Sequence, residues 1–137
     1  MRENALAKKL KLKPGQRAGL IGAPDGYLKA LSPLPEGVTT ADRLSGKFDW
    51  LQVFVKNKAE IDQLAPRAAQ ALKPEGMLWI SFPKGSSKIQ TDLTRDKGWD
   101  VLQGLDLKWL TLVSVDDTWS AFALRPYREA EARQAFR

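Results

Sequence analysis

The chain contains neither cysteine nor histidine. Without cysteine there is no disulfide, no thiolate metal site and no thiol nucleophile, and a reducing compartment is permitted. Without histidine, the commonest general base near neutral pH, the commonest zinc ligand and every Ser/His dyad are excluded together. Any metal would have to be a hard ion held by carboxylates and carbonyls, and the expectation is that none is bound. Long hydrophobic runs are missing too. No segment approaches the roughly 18 apolar residues of a membrane span, and Met1-Arg2-Glu3-Asn4 leads into a polar stretch without an apolar signal core. The expected compartment is the cytoplasm, with no membrane partner.

What is present is ordinary for a folded domain: 137 residues, 43% hydrophobic and 28% charged. A chain of this size buries roughly two-thirds of its unfolded surface without staples, so one α/β domain spanning 1–137 is expected. The net charge is +6, but Arg2, Lys8, Lys9, Lys11, Lys13 and Arg17 stand against Glu3 alone, so +5 of it lies in the first 17 residues. Residues 1–13 read as a basic helix or arm, and 126–137 as a charged tail. Such an arm can neutralise phosphates on nucleic acid. With no aromatic residue among those lysines to stack a base, a solvated first helix is the favoured reading.

Ala5, Leu6 and Leu10 have helical spacing before Lys13-Pro14-Gly15 breaks the run. Arg17–Ile21 reads as a strand stopped by Gly22-Ala-Pro-Asp-Gly26, and Tyr27, Leu28 and Leu31 give one face of a short helix. Val38–Thr40 is a weaker strand. Phe48–Val55, β-branched and aromatic almost throughout, reads as a strand buried on both faces. Ile61, Leu64, Ala65, Ala68, Ala69 and Leu72 form the clearest helical stripe, with Asn57 and Glu60 as its capping pair. Lys73–Gly76 closes that helix, and Met77–Phe82 is the next strand. Thr91 is expected to cap a short helix from Asp92, weakened by Gly98. Trp109–Val115 and Ser120–Leu124 have hairpin spacing around Asp116-Asp-Thr-Trp119. Alternating β and α elements predict a mainly parallel three-layer Rossmann-like sheet finished by an antiparallel hairpin. An outer hairpin strand at the sheet edge would permit self-association.

That order, together with Leu72-Lys-Pro-Glu-Gly-Met-Leu-Trp-Ile80, resembles a truncated class I S-adenosylmethionine-dependent methyltransferase core. More specifically, Leu6–Gly15, Gly22-Ala-Pro-Asp-Gly26, Phe82-Pro-Lys-Gly-Ser-Ser87, Thr91-Asp-Leu-Thr94 and Val115-Asp-Asp-Thr-Trp-Ser120 are similar to a small bacterial family known only as a domain of unknown function. The resemblance implies a cofactor loop after the first strand and an acid ending the second to hold the ribose hydroxyls. Here the loop reads Leu20-Ile-Gly-Ala-Pro-Asp-Gly26. It lacks the GxG pair, and Pro24 has no amide to donate. The second strand ends on Thr39 and Thr40, with Asp42 following. The expectation is that the S-adenosylmethionine pocket has been lost and that no cofactor is bound.

Ligands of open parallel sheets bind beyond the carboxyl ends of the strands. There the candidate rim is Gly22, Pro24, Asp25, Gly26, Tyr27, Thr40, Asp42, Lys84, Ser86 and Ser87; the last three suit a phosphate or carboxylate, although no Walker spacing is present. Asp116, Asp117 and Trp119 form a candidate recognition cluster, with Trp99 and Trp119 expected to be partly exposed. No catalytic residue is assigned. The leading expectation is a non-catalytic module that binds a protein or small molecule. The alternative is a minimal methyltransferase, or an enzyme with a nucleotide-like ligand, in which Asp25 or Asp42 replaces the missing acids and both line one cavity. The third reading is nucleic-acid binding through the basic arm.

Overall fold

The computed structural model describes residues 4–85, 91 and 98–127. Six strands form one sheet: β1 (Arg17–Ile21), β2 (Thr39–Ala41), β3 (Phe48–Phe54), β4 (Leu72–Pro83), β5 (Leu107–Ser114) and β6 (Trp119–Pro126), in the order β2-β1-β3-β4-β6-β5. The first four strands are parallel. β6 runs antiparallel to both β4 and β5, which places β5 at the edge of the sheet. Helix α1 (Ala5–Lys9) precedes β1, α2 (Tyr27–Leu31) joins β1 to β2, and α3 (Lys58–Gln70) joins β3 to β4. This is the mainly parallel α/β sheet with a closing hairpin that the element order implies. No helix among the described residues is long and apolar enough to cross a membrane.

The alternation of β3 divides the core. Trp50 and Phe54 join Leu10, Leu31 and Trp79 on the α1/α2 side, while Leu51 and Val53 join Ile61, Leu78 and Ile80 on the α3 side. Successive side chains leave a strand on opposite faces, so a strand covered on both sides must be apolar at nearly every position. Asp49 alone in β3 is not fully buried. At the start of α3 the Asn57 side chain accepts from the Glu60 amide at 2.9 Å, while the Glu60 carboxylate accepts from the Lys56 amide rather than from Asn57. The reciprocal cap therefore reaches one residue further back than the sequence pattern implies.

Two expectations change, and a third is untested. Leu72 completes the helical stripe in sequence, yet the helix ends at Gln70 and Leu72 pairs with Phe48 as the first residue of β4. The register between β3 and β4 then shifts, and Lys73–Gly76 bulge out before Met77 meets Trp50. Trp99 and Trp119 are core residues, 7% and 5% exposed. Trp99 meets Phe82 and Phe122 edge-on, and Trp119 opens β6 and packs on Phe54. The helix expected from Asp92 lies on residues outside those described; the chain resumes as a 3-10 helix over Asp100–Gly104.

The basic first segment is part of the core. Leu10 is fully buried, Ala7 and Leu12 nearly so, and the Asn4 side chain both caps α1 and donates to the carbonyls of Ala30 and Ser32 at the end of α2.

Candidate functional site

From β1 the chain passes outward through α2 to β2 and then back across to β3, so the strand order reverses between β1 and β3. Ligands of open α/β sheets collect in the crevice at such a reversal. In this protein the chain itself fills it. Gly22 leaves β1 with φ +72°, and a Cβ there would stand 3.1 Å from the Phe54 carbonyl oxygen, so the two strand ends approach closely. Tyr27, at the start of α2, turns into the same place and is 4% exposed. Its ring meets Phe54 edge-on with centroids 4.8 Å apart, and Phe54 meets Trp119 at 5.1 Å.

A buried polar line runs beneath these rings. The Tyr27 hydroxyl donates to Gln52 Oε1 at 2.9 Å, and the Gln52 amide donates to Ser81 Oγ at 3.0 Å. Burial pushes the Tyr27 phenol well above its ordinary range; the Gln52 hydrogen bond acts against that shift, and the nearby Asp116 charge adds to it. The phenol stays neutral at physiological pH, and its ring forms a wall of the crevice. Sequence reasoning missed this line. Its signal was a glutamine in the middle of the apolar run Trp-Leu-Gln-Val and a serine in Trp-Ile-Ser-Phe.

The open space lies one strand outward. A cavity of about 690 Å³ sits between the β1–α2 loop and the end of β2, lined by Gly22, Pro24, Asp25, Gly26, Thr40 and Asp42, with Tyr27 as its inner wall. The structure thus gathers seven of the predicted rim residues around one cavity. Its ionisable carboxylates, Asp25 and Asp42, face no lysine or arginine among the described lining residues. A concave site charged in this way favours hydroxyl donors and cations and opposes phosphates.

The remaining candidates lie elsewhere. Lys84 is not part of that lining; its ammonium donates to Ser114 Oγ at 2.6 Å, and Lys9 donates to the Ser114 carbonyl. Ser86 and Ser87 fall outside the described residues. Asp116 Oδ1 accepts from the amides of Thr118 and Trp119, each at 2.8 Å, so it forms the turn between β5 and β6. Asp117 is exposed, and Trp119 is buried. The expected recognition cluster is corrected accordingly: its aromatic member packs inward to close the core, and one of its carboxylates is committed to backbone amides. Among the described residues no group of three potential ligands could hold a metal ion.

S-adenosylmethionine, which the resembled family uses, presents ribose hydroxyls, an adenine, a sulfonium and an ammonium. The lining of the β1–β2 cavity is chemically suited to the hydroxyls and positive charges, because it includes Asp25, Asp42 and Thr40, oxygen acceptors of which two carry negative charge. The aromatic wall of Tyr27, Phe54 and Trp119 fills the inner side, leaving the open space on the outer side of β1.

No family model matches the chain, and no curated protein does. Solved structures do. A ribosomal protein L11 methylase from Lactobacillus delbrueckii subsp. bulgaricus superposes with a TM-score of 0.59 at 14% identity, covering 89% of this chain and 76% of that one. A TehB-like SAM-dependent methyltransferase from Corynebacterium glutamicum gives 0.57 at 13% identity, with coverages of 91% and 87%. The DhpI–SAH complex gives 0.61 at 10% identity, with 90% and 82%. These likenesses show the fold: a Rossmann-like sheet of the methyltransferase type, reached with little sequence in common.

Proposed function

We propose that the β1–β2 cavity binds S-adenosylmethionine or its demethylated product and that the chain is a minimal domain of the methyltransferase class. The observation that carries this reading is the meeting of Asp25 and Asp42 in one 690 Å³ cavity beyond the carboxyl ends of β1 and β2. A cavity lined by both carboxylates is what the loss of the usual acids requires if their role is retained. Its size suits a small molecule. Its charge suits this ligand over a nucleotide: sulfonium and ammonium groups are attracted by two carboxylates, and a triphosphate is repelled. Structural neighbours support the same direction: one is named a SAM-dependent methyltransferase, and another is a complex with SAH. In this reading Asp42 and Thr40 accept from the ribose hydroxyls, and Asp25 faces the positive end. Bound there, S-adenosylmethionine would supply an electrophilic methyl group.

A second reading is favoured by the aromatic wall. Because Tyr27, Phe54 and Trp119 fill the strand-reversal crevice, the domain would hold its ligand without a co-substrate beside it, as a non-catalytic binding module.

Titration calorimetry with S-adenosylmethionine, S-adenosylhomocysteine, adenosine and ATP tests both. The expected result is saturable binding of the first three, weaker binding of ATP, and a loss of about ten-fold in Asp42→Ala, the equivalent of one charge-assisted hydrogen bond. No binding of either methyl cofactor or product refutes the proposal. Binding with no methyl transfer to any acceptor from a cell extract selects the second reading.

A further inference from the structure

A second cavity is lined by residues that precede β1 and β2 in the chain, whereas the β1–β2 cavity lies beyond the carboxyl ends of those strands. It encloses about 440 Å³ between the end of α1 and the segment 33–36. Its walls are apolar, with Ala7, Leu12, Leu34 and the prolines 14, 33 and 35, and Lys11 and Lys13 stand at its margin. Glu36 is the single acidic residue among the described lining residues. The charge is opposite in sign to that of the β1–β2 cavity.

The backbone places those groups deliberately. The amide of Lys11 donates to the Lys8 carbonyl and that of Leu12 to the Ala7 carbonyl, the paired closure that ends many helices with a left-handed residue. Glycine normally takes that position. Here it is Lys11, at φ +60°, a conformation costly for a residue with a Cβ. The turn buries Leu12, 5% exposed, in the cavity floor while keeping Lys11 and Lys13 in solvent at the margin. Proline walls have fixed φ and lose little freedom when a ligand enters. A rigid apolar slot of this volume with a few charges at its mouth has the character of a small-molecule site.

We propose that this cavity binds an organic carboxylate with an apolar body, the body lying among Leu12, Leu34 and the prolines and the carboxylate meeting the Lys11 and Lys13 ammoniums. The site is separate from the proposed cofactor cavity and does not depend on it.

The probe is decanoate, titrated into the ¹⁵N-labelled full-length chain, with decanol and acetate in parallel. The expected result is saturable shifts of the Ala7, Leu12 and Leu34 amides with decanoate, at least five-fold weaker binding of decanol and none of acetate. Leu34→Trp, which fills the slot, and the Lys11→Glu/Lys13→Glu pair, which reverses the margin, each lower decanoate affinity at least ten-fold. Absence of shifts at these amides in the native chain overturns the proposal without recourse to variants. So does decanol binding as tightly as decanoate, or decanoate affinity unchanged in Leu34→Trp. Saturating S-adenosylmethionine leaves the decanoate titration unaltered, so failure of one site does not register as failure of the other.

Discussion

The indoles of Trp50 and Trp79 share one acceptor: both Nε1–H groups donate to the carbonyl oxygen of Leu10, each at 2.8 Å. Both rings are fully buried on neighbouring strands, and Leu10, fully buried itself, is the residue that caps α1. One backbone carbonyl therefore satisfies two buried donors and ties the basic first helix to the centre of the sheet.

Deletion of residues 1–12 should accordingly destabilise the fold severely. It leaves two buried indole N–H groups unpaired, each costing about 1–3 kcal/mol. It also strips Leu10 and Leu12 from the core, at roughly 2 kcal/mol each. Thermal unfolding followed by circular dichroism is expected to show a loss of the cooperative transition or a fall of well over 10 °C, given ~2–8 °C per kcal/mol for domains of this size. For the same reason, nucleic-acid binding by the basic segment has to be tested by charge-reversing Lys8, Lys9, Lys11 and Lys13 in the intact chain. A truncation that melted normally would contradict the shared-acceptor account.

Tyr27→Phe keeps the aromatic wall and removes the hydroxyl that Gln52 accepts from. A buried amide oxygen then lacks its partner, and a loss of about 1–3 kcal/mol follows. The variant also changes the alkaline limb. Burial raises the folded-state pKa of Tyr27, so its contribution is fully present below the unfolded value near 10 and is lost as the pH rises beyond it. Native stability should therefore fall with pH above about 10 more steeply than that of Tyr27→Phe. Urea melts at pH 9 and 10.5 measure the difference; parallel slopes would remove the buried phenol from the account.

Lys11→Gly supplies the third test. Glycine takes the left-handed conformation without the roughly 1 kcal/mol penalty of a residue with a Cβ. The protein should become more stable by about 0.5–1 kcal/mol while losing one of the lysines that line the proline-walled cavity. A higher melting temperature together with weaker decanoate binding is the expected pair of results. A lower melting temperature would mean that the Lys11 side chain contributes more to the fold than its backbone costs.

Much of this architecture is legible in the sequence, because a strand covered on both faces has to be apolar. Phe48–Phe54 and Arg17–Ile21 announce themselves in that way, and Asn57 with Glu60 marks where α3 begins. Leu72 shows where the signal fails. Eleven positions after Ile61, it satisfies the helical period and also opens a buried strand, and sequence spacing cannot separate two environments that both demand leucine. At Trp119 the turn chemistry ends one residue sooner than its polar run suggests, since Asp116 bonds the amides of Thr118 and Trp119 and β6 starts there. Asp25 and Asp42 could be placed because each follows the end of a strand. The Tyr27–Gln52–Ser81 line could not, because its members lie 25 and 29 residues apart and meet only once α2, β3 and β4 have packed together.

Asp49 links three strands through one carboxylate. Its Oδ2 accepts from the Arg17 amide of β1 at 2.8 Å, and its Oδ1 takes the Lys73 ammonium of β4 at 3.0 Å. The Arg17 hydrogen bond holds the carboxyl below its usual pKa; burial opposes this, and the hydrogen bond and charge of Lys73 add to the lowering. A depressed folded-state pKa stabilises the protein above the unfolded value near 4, and the contribution disappears as the pH falls through the lower folded value. The acid limb of the stability profile should therefore drop as the pH falls below about 4, partly on account of this residue. Asp49→Asn retains an oxygen for the Arg17 amide but loses the charge, and should cost about 1 kcal/mol at pH 7. Below pH 4 the gap between variant and native should narrow, because protonation brings the native carboxyl to the same neutral state. Paired chemical-denaturation curves at pH 7 and pH 3 check this, and a gap of equal size at both would show that the charge on Asp49 contributes nothing.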